Sequence, residues 1–169
     1  MFQNAKFAEV ANIISGVPLD TQGASGLATP YVSLKNYHRA TVVYIGAAGT
    51  GTDAAIITLL QASAVAGTGE KALNVTEFWA KSGADLKAVG QFTRATQAAG
   101  NTVTGGVATE QKCVVVDINL DQLDVANSFD CLKASVADTG AAGAQLGVLF
   151  VILWSPKYAS SLAPSPIAD

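Results

Sequence analysis

Stretches in which apolar and polar residues alternate recur along most of the chain. KCVVVDINL at 112–120 is the clearest, and NVTEFWAKSG at 74–83 and DCLKASVAD at 130–138 alternate in the same way. A period of two directs successive side chains to opposite faces of a sheet, so these stretches predict half-buried β-strands. LGVLFVILW at 146–154 is apolar almost throughout, which predicts a strand in the core.

Further short strands are predicted between these, separated by turns rich in Gly, Asn, Asp and Ser. Residues 31–34 and 39–45 flank a Lys-Asn turn, while GQFTRATQ and NTVTGG flank an Ala-Ala-Gly turn at 98–100. Residues 120–130 are predicted to form a loop or one helical turn. Eight or more short strands without a long amphipathic helix predict an all-β fold, an antiparallel β-sandwich or jelly roll with extended N- and C-terminal arms.

The two ends of the chain differ from this pattern. Residues 1–28 are predicted to form an N-terminal arm or a first strand, 29–155 the sandwich core, and 156–169 a C-terminal arm. The last segment holds three prolines, which lack the backbone N–H that a central strand needs. We therefore expect it to be either disordered or laid on a partner.

The glycine-rich stretch at 46–53 has some features of the loops that hold nucleotide phosphates. A P-loop needs a lysine followed by Ser or Thr after its last glycine, and here Gly51 is followed by Thr52 and Asp53. A dinucleotide fingerprint needs GxGxxG opening a helix, whereas the order here is GxxGxG before a stretch that favours a strand. The sequence therefore predicts a hairpin turn, whose glycines allow positive φ, and no cofactor.

The composition argues against a nucleic-acid partner. Only 14% of the residues are charged, against about 25% in an ordinary soluble domain, and the net charge is −3. The ten basic residues are scattered, whereas binding to a phosphate backbone needs clustered Lys and Arg. So low a share of charge predicts that other protein covers much of the surface.

The sequence has two cysteines and one histidine, so few side chains could serve as a catalytic nucleophile or base. Cys113 and Cys131 are predicted to be buried free thiols, with a disulfide as the alternative if their strands are neighbours in register. His38 would need a nucleophile and an orienting acid to act as a catalytic base, and the sequence has no GxSxG motif. We expect His38 to lie at a surface or interface, and we expect no catalytic residue and no enzymatic activity.

Three aspartates, Asp117, Asp121 and Asp124, cluster in DINLDQLD and offer oxygen ligands for calcium. They lack the DxDxDG spacing and the terminal glutamate of a calcium loop, so a solvated or interface edge is the prediction and no metal ligand is assigned.

The sequence also predicts no membrane partner. The first 16 residues lack an apolar core of signal-peptide length, and the longest apolar run, GVLFVILW, is far shorter than the ~20 residues that a bilayer needs. We expect synthesis in a cytosol.

Three phrases of the sequence carry a resemblance to a known group of proteins. They are VSLKNYHRATVV at 32–43, LLQASAVAGTGEKAL at 59–73, and LDVANSFDCLKASVADTGAAGAQLGVLFVILWSPKYA at 123–159. Together they resemble small structural proteins of tailed bacteriophages and prophages, over roughly residues 30 to 159. The resemblance implies a virion component of the capsid decoration, or cement, type, which binds the outside of the capsid and stabilises it by bridging major capsid protein subunits.

The partners implied by this resemblance are the major capsid protein and further copies of the chain, as a dimer or trimer on the virion surface. The residues expected at interfaces are Tyr37, His38, Arg39, Pro156, Tyr158, Pro164 and Pro166. The alternative is a head–tail, tail or fibre-associated virion subunit. A carbohydrate-binding module on a fibre would use exposed aromatic side chains such as Trp79 or Tyr37.

Overall fold

The computed structural model describes residues 5–15, 20–21, 26–49, 54–137, 146–158 and 163–167. In chain order its strands are β1 (Ala11–Ser15), β2 (Asp20–Thr21), β3 (Leu27–Ala28), β4 (Val32–Ser33), β5 (Tyr37–Gly46), β6 (Ile56–Ala62), β7 (Lys71–Ala72), β8 (Val75–Gly83), β9 (Thr93–Gly100), β10 (Thr102–Thr104), β11 (Gln111–Asn119), β12 (Cys131–Val136) and β13 (Leu146–Pro156). A single helical turn, α1 (Phe7–Val10), precedes β1, and 3-10 helices span Leu86–Ala88, Leu120–Gln122 and Val125–Asn127. Within the described ranges, no helix is long and apolar enough to cross a membrane.

The strands form two antiparallel sheets. The large sheet has the order β1-β13-β5-β11-β8-β9, with β2 paired to β13. The small sheet has the order β10-β6-β12-β3, with β4 on β12 and β7 on β6. The prediction of an all-β antiparallel sandwich is confirmed, whereas the jelly-roll topology stays a prediction.

The core lies between the two sheets because one face of each strand is apolar. From the large sheet it receives alternate residues of the three long central strands, among them Val42 of β5, Val116 of β11 and Val151 of β13. Leu59 of β6 and Leu132 of β12 pack toward them from the small sheet. All five side chains are fully buried.

The glycine-rich stretch after β5 does not close a hairpin, so that prediction was wrong. β5 pairs with β13 on one side and β11 on the other, whereas β6 pairs with β10 and β12 in the small sheet. A central strand has no free edge for its sequence neighbour, so the chain crosses to the other sheet. Residues 50–53 of the connection lie outside the described residues.

A second crossing replaces the predicted turn at 98–100. β9 continues through Gly100 and pairs with β8, while β10 pairs with β6 in the small sheet. The carbonyl of Asn101 accepts a hydrogen bond from the Leu59 amide at 2.8 Å, which secures the crossing point.

The loop at 120–130 contains two of the 3-10 helices, in agreement with the helical-turn alternative. Both cysteines are buried and form no disulfide, as predicted, because Cys113 lies in the large sheet and Cys131 in the small one. Burial raises the pKa of the Cys113 thiol and so favours its unreactive protonated form.

The terminal segments lie on the sandwich itself. β1 pairs with β13 at one edge of the large sheet, as the first-strand alternative for residues 1–28 expects. Near the C-terminus, the Pro166 carbonyl accepts a hydrogen bond from the Ser33 amide at 2.7 Å, and the Ala163 amide donates to the Ala8 carbonyl at 3.2 Å. Residues 163–167 are therefore hydrogen-bonded to their own chain, and the role of 156–169 as an arm stays a prediction. The domain limits stay predictions.

Candidate functional site

The seven residues expected at interfaces gather at one end of the sandwich, where β5 begins and β13 ends. His38, Arg39 and Tyr158 are exposed, Pro156 and Pro164 are half-buried, and Tyr37 and Pro166 are buried. With a relative exposure of 69%, Tyr158 is the most open of the large apolar side chains described. The structure thus brings these residues together and divides them between surface and interior.

Tyr37 belongs to the interior, which corrects its expected role at an interface. Its ring is fully buried, and its hydroxyl donates a hydrogen bond to the Pro164 carbonyl. Burial raises the pKa of the Tyr37 phenol, so the hydroxyl remains a donor at neutral pH. Tyr37 therefore anchors the C-terminal segment instead of contacting a partner.

A groove of about 560 Å³ opens beside the exposed pair His38 and Arg39. We call it the His38 groove, and its lining is His38, Arg39, Asn119, Leu120, Asp121 and Val125. The start of β5, the end of β11 and the two 3-10 helices that follow β11 position these side chains. The lining combines a cation, a carboxylate and apolar surface, a mixture typical of the rim of a protein–protein interface.

Arg39 is held in place by its neighbours across the sheet. Its guanidinium lies 4.9 Å from the centre of the Trp154 ring, a cation–π contact. The Trp154 indole donates a hydrogen bond to the Thr41 hydroxyl at 3.0 Å, and that hydroxyl donates to Asp117 at 2.6 Å. This chain of contacts preorganises Arg39, which lowers the entropy it would lose on binding a partner.

The three clustered aspartates have separate surroundings. Asp117 accepts the bond from Thr41, Asp121 lines the groove, and Asp124 is bound by Lys71 and Asn127. The hydrogen bond from Lys71, followed by that from Asn127, lowers the pKa of Asp124. In the part of the chain that the structure describes, no three metal-binding side chains converge.

A second surface is the side of the large sheet that faces away from the small sheet, here called the outer face. Cross-strand partners point to the same side of a sheet. One such row runs Phe150, Val43, Val115 and Trp79 across β13, β5, β11 and β8. The neighbouring rows add Ile13, Ile152, Val148, Ile45 and Cys113.

The outer face is apolar and partly exposed. Ile13 is 51% exposed, Ile45 38% and Trp79 37%. By contrast, the outer side of the small sheet pairs Lys133 with Leu60 and Ser135 with Thr58. The apolar patch spans β13, β5, β11 and β8, and its central row ends in Ser15 on β1 and Arg94 on β9. Large exposed apolar patches mark surfaces that bind other molecules.

The sequence reasoning did not predict the outer face, although a signal for it exists. A strand with one solvated face alternates apolar and polar residues, whereas β11 holds the unbroken run Cys113 to Val116 and β13 is apolar at nearly every position. Such strands have two apolar faces, of which the small sheet covers one. Trp79, which a carbohydrate-binding module would use as an exposed aromatic side chain, lies on this sheet face outside the His38 groove.

Comparisons with known proteins reveal a structural likeness but no family. No protein-family model and no curated protein matches the chain. Among solved structures, the chain is similar to the SPBc2 prophage-derived protein YomS, with a TM-score of 0.47 and 12% sequence identity. The alignment covers 86% of this chain and 93% of that chain. A likeness of this degree carries no conclusion about function.

Proposed function

We propose that the chain is a structural protein of a phage virion, of the capsid decoration type. It binds the outside of a capsid and bridges major capsid protein subunits. The virion assignment draws support from the resemblance of the sequence to small structural proteins of tailed phages. The observation that supports a binding role is that exposed aromatic and charged side chains gather at one end of the sandwich.

This end, which we call the docking end, comprises the His38 groove and the described terminal segments at 5–10, 156–158 and 163–167. The terminal segments meet where the Ala163 amide bonds to the Ala8 carbonyl. Phe7 and Tyr158 project from them as exposed aromatic side chains. Aromatic residues and arginine are enriched in protein–protein interfaces, so the docking end has the composition of a contact surface.

The docking end is largely formed before any partner binds. Hydrogen bonds from Tyr37 and Ser33 fix the C-terminal segment, and Trp154 orients Arg39. A surface that is already ordered loses less conformational entropy on association than an arm that folds onto its partner. Repeated weak contacts between many copies and a capsid lattice then combine into strong attachment.

The proposal is one of binding and not of catalysis. The single histidine, His38, is exposed at the groove rim, and the nearest carboxylate in that lining is Asp121. We propose no enzymatic activity and no metal, cofactor, nucleic-acid or membrane partner. A glycan-binding fibre subunit has less support, because Tyr37 is buried and Trp79 lies on a flat sheet face.

Co-sedimentation with undecorated capsids and retention on a glycan panel test the proposal. We expect saturable capsid binding at a fixed ratio, weakened at least about tenfold by Arg39→Glu or Tyr158→Ala, since hot-spot residues each supply about 1.4 kcal/mol or more. Lys87→Glu makes the same charge reversal on an exposed 3-10 helix and should bind normally. Retention on a glycan without capsid binding would instead assign the chain to a receptor-binding part.

A further inference from the structure

We infer that the His38 groove binds an acidic segment of its protein partner, in which one Asp or Glu side chain pairs with Arg39 and an apolar side chain packs on Leu120 and Val125. The inference rests on the proposed function, because it names the chemistry of the partner that meets the docking end. It follows from the charges and the apolar surface that line the groove.

The two arginines of the chain differ in what they bind. Arg94 forms an ion pair with Glu77, and its Nε and Nη2 groups both donate hydrogen bonds to that carboxylate. Arg39 is exposed, and among the described residues no carboxylate forms an ion pair with its guanidinium. The donors of Arg39 are therefore available to a carboxylate of another molecule.

The surroundings of Arg39 hold the guanidinium in place without supplying an acceptor oxygen. The centre of the Trp154 ring lies 4.9 Å from it, and the indole N–H is itself a donor, bonded to Thr41. A guanidinium carries five N–H donors in a planar fork, and two of them match the two oxygens of a carboxylate. Because Arg39 is already restrained, it loses little side-chain entropy when it binds a carboxylate in this way.

The carboxylates near Arg39 limit how much negative charge the groove accepts. Asp121 lines the groove together with Arg39. Asp117 belongs to the next cross-strand pair on the same face, where it accepts the Thr41 hydroxyl. Both carboxylates repel a second anionic group. The groove therefore suits a segment with a single acidic residue, and disfavours a run of acidic residues or a phosphate dianion.

Apolar surface beside these charges supplies a second contact. Leu120 is half-buried and Val125 is 46% exposed, and the two 3-10 helices after β11 carry them into the lining of the groove. An apolar side chain next to the acidic residue can cover both, which removes apolar surface from water and strengthens the adjacent ion pair by excluding solvent. The volume of about 560 Å³ is in the range of sites that hold small ligands, so a short peptide segment fits.

Peptide titration followed by NMR tests the inference on the full chain. The probes are the tripeptides Leu-Glu-Leu and Leu-Gln-Leu, blocked at both ends so that the Glu side chain supplies the only carboxylate. The Nε–H signals of Arg39 and Arg94 report the two guanidinium groups separately. We expect Leu-Glu-Leu to shift the Arg39 signal and not the Arg94 signal, and to bind about fivefold more tightly than Leu-Gln-Leu, the upper range for an exposed ion pair.

Three variants assign the preference to its residues. Arg39→Gln should abolish the preference for Leu-Glu-Leu, and Arg39→Lys should reduce it, because lysine keeps the charge but lacks the paired donors. Arg94→Gln is the matched control and should keep the full preference, since Arg94 lies on β9 outside the groove. Asp121→Asn should bind the blocked tripeptide Glu-Glu-Leu more tightly than the wild type does, because it removes a repelling charge.

Equal binding of Leu-Glu-Leu and Leu-Gln-Leu, no binding of Leu-Glu-Leu, or a preference that survives Arg39→Gln would each overturn the inference. Inorganic phosphate that shifts the Arg39 signal at lower concentration than Leu-Glu-Leu would overturn it as well, and would assign the groove to a phosphate ligand.

Co-sedimentation of the wild type with undecorated capsids separates this inference from the proposed function. A chain that prefers Leu-Glu-Leu through Arg39 but binds no capsid would support the acidic-segment site and refute the capsid role. A chain that binds capsids without preferring Leu-Glu-Leu would refute the inference and leave the capsid role in place.

Discussion

At the scale of single residues, the least expected feature is a buried lysine. Lys112 lies on β11 with no exposed surface, and its ammonium donates a hydrogen bond to the Ala108 carbonyl at 3.1 Å. Gly106, with a φ of +79°, lies over it so closely that a Cβ there would come within 2.9 Å of the Lys112 Cβ. Burial lowers the pKa of Lys112, an effect that the charge of Glu110 partly offsets.

Replacing Lys112 by methionine should stabilise the fold. The change removes a desolvated amine while keeping the aliphatic stem, and the Ala108 carbonyl still accepts from the Gly49 amide at 3.0 Å. Exchanging a buried charged group for an apolar one of similar size commonly gains 1 kcal/mol or more, so we expect a gain of about 1 kcal/mol in the free energy of unfolding at pH 7.

The gain should depend on pH in a definite direction. Because the pKa of Lys112 is lower in the folded chain, the unfolded chain holds more protons below the ordinary lysine pKa of about 10.4. Stability of the wild type therefore rises with pH through this window, and the advantage of Lys112→Met shrinks. Urea unfolding of the wild type and of Lys112→Met at pH 7 and pH 10 measures this advantage, and Lys87→Met, a change at an exposed lysine, is the control. An advantage that grows toward pH 10 would contradict the argument.

At the scale of elements, the C-terminal residues show how prolines can pack on a β-fold without donating hydrogen bonds to a neighbouring strand. Pro156 closes β13 opposite Tyr37, and Pro166 supplies its carbonyl to the Ser33 amide. A proline cannot donate a backbone hydrogen bond but accepts one as well as any residue. Sequence reasoning weighed the missing donor and did not consider the acceptor, so it did not predict these contacts with the sandwich.

Tyr37→Phe should release the C-terminal segment. The substitution keeps the buried ring and removes the hydroxyl that donates to Pro164. Loss of one hydrogen bond of this kind costs about 1 kcal/mol, so we expect residues 163–167 and the Ser33 amide to exchange with deuterium roughly fivefold faster.

The control for this prediction is Tyr158→Phe, which removes an exposed hydroxyl from the same end of the molecule. It should leave exchange unchanged. Equal protection in Tyr37→Phe and the wild type would show that the Ser33 and Ala163 hydrogen bonds hold the segment without Tyr37.

At the scale of the whole molecule, the two faces of the large sheet differ in their importance for folding. Val116 points into the core and is fully buried, while its neighbour Val115 points to the outer face between Val43 and Trp79. The two side chains lie on the same strand and have the same size. They differ in that the small sheet covers the core side of the strand and not its outer side.

Val116→Asp and Val115→Asp should therefore have different effects. A carboxylate in the core lacks a partner, so Val116→Asp should cost at least about 4 kcal/mol and prevent stable folding. Val115→Asp should fold, with a native circular dichroism spectrum, because its carboxylate lies on the outer face and not in the core. Unfolding by both variants to the same degree would show that the outer face is as indispensable to the monomer as the core.

Much of this architecture follows from local pattern. Period-two alternation identified β8, β11 and β12, and the apolar run at 146–154 identified β13, because strand geometry fixes which side each residue faces. The two cysteines were assigned as buried thiols from their strand positions. His38 and Arg39 were assigned to the surface from their place at the start of a strand, where the structure exposes both.

The sequence by itself thus determined the all-β class, most strand positions and the scarcity of charge, since these depend on neighbours along the chain. Only the tertiary structure decided which strands share a sheet, that β5 and β6 belong to different sheets, and that Tyr37 holds the C-terminal segment. The outer face, too, could be recognised only from the tertiary structure. Strand pairing joins residues far apart in sequence, and local alternation carries no information about which partner covers each face.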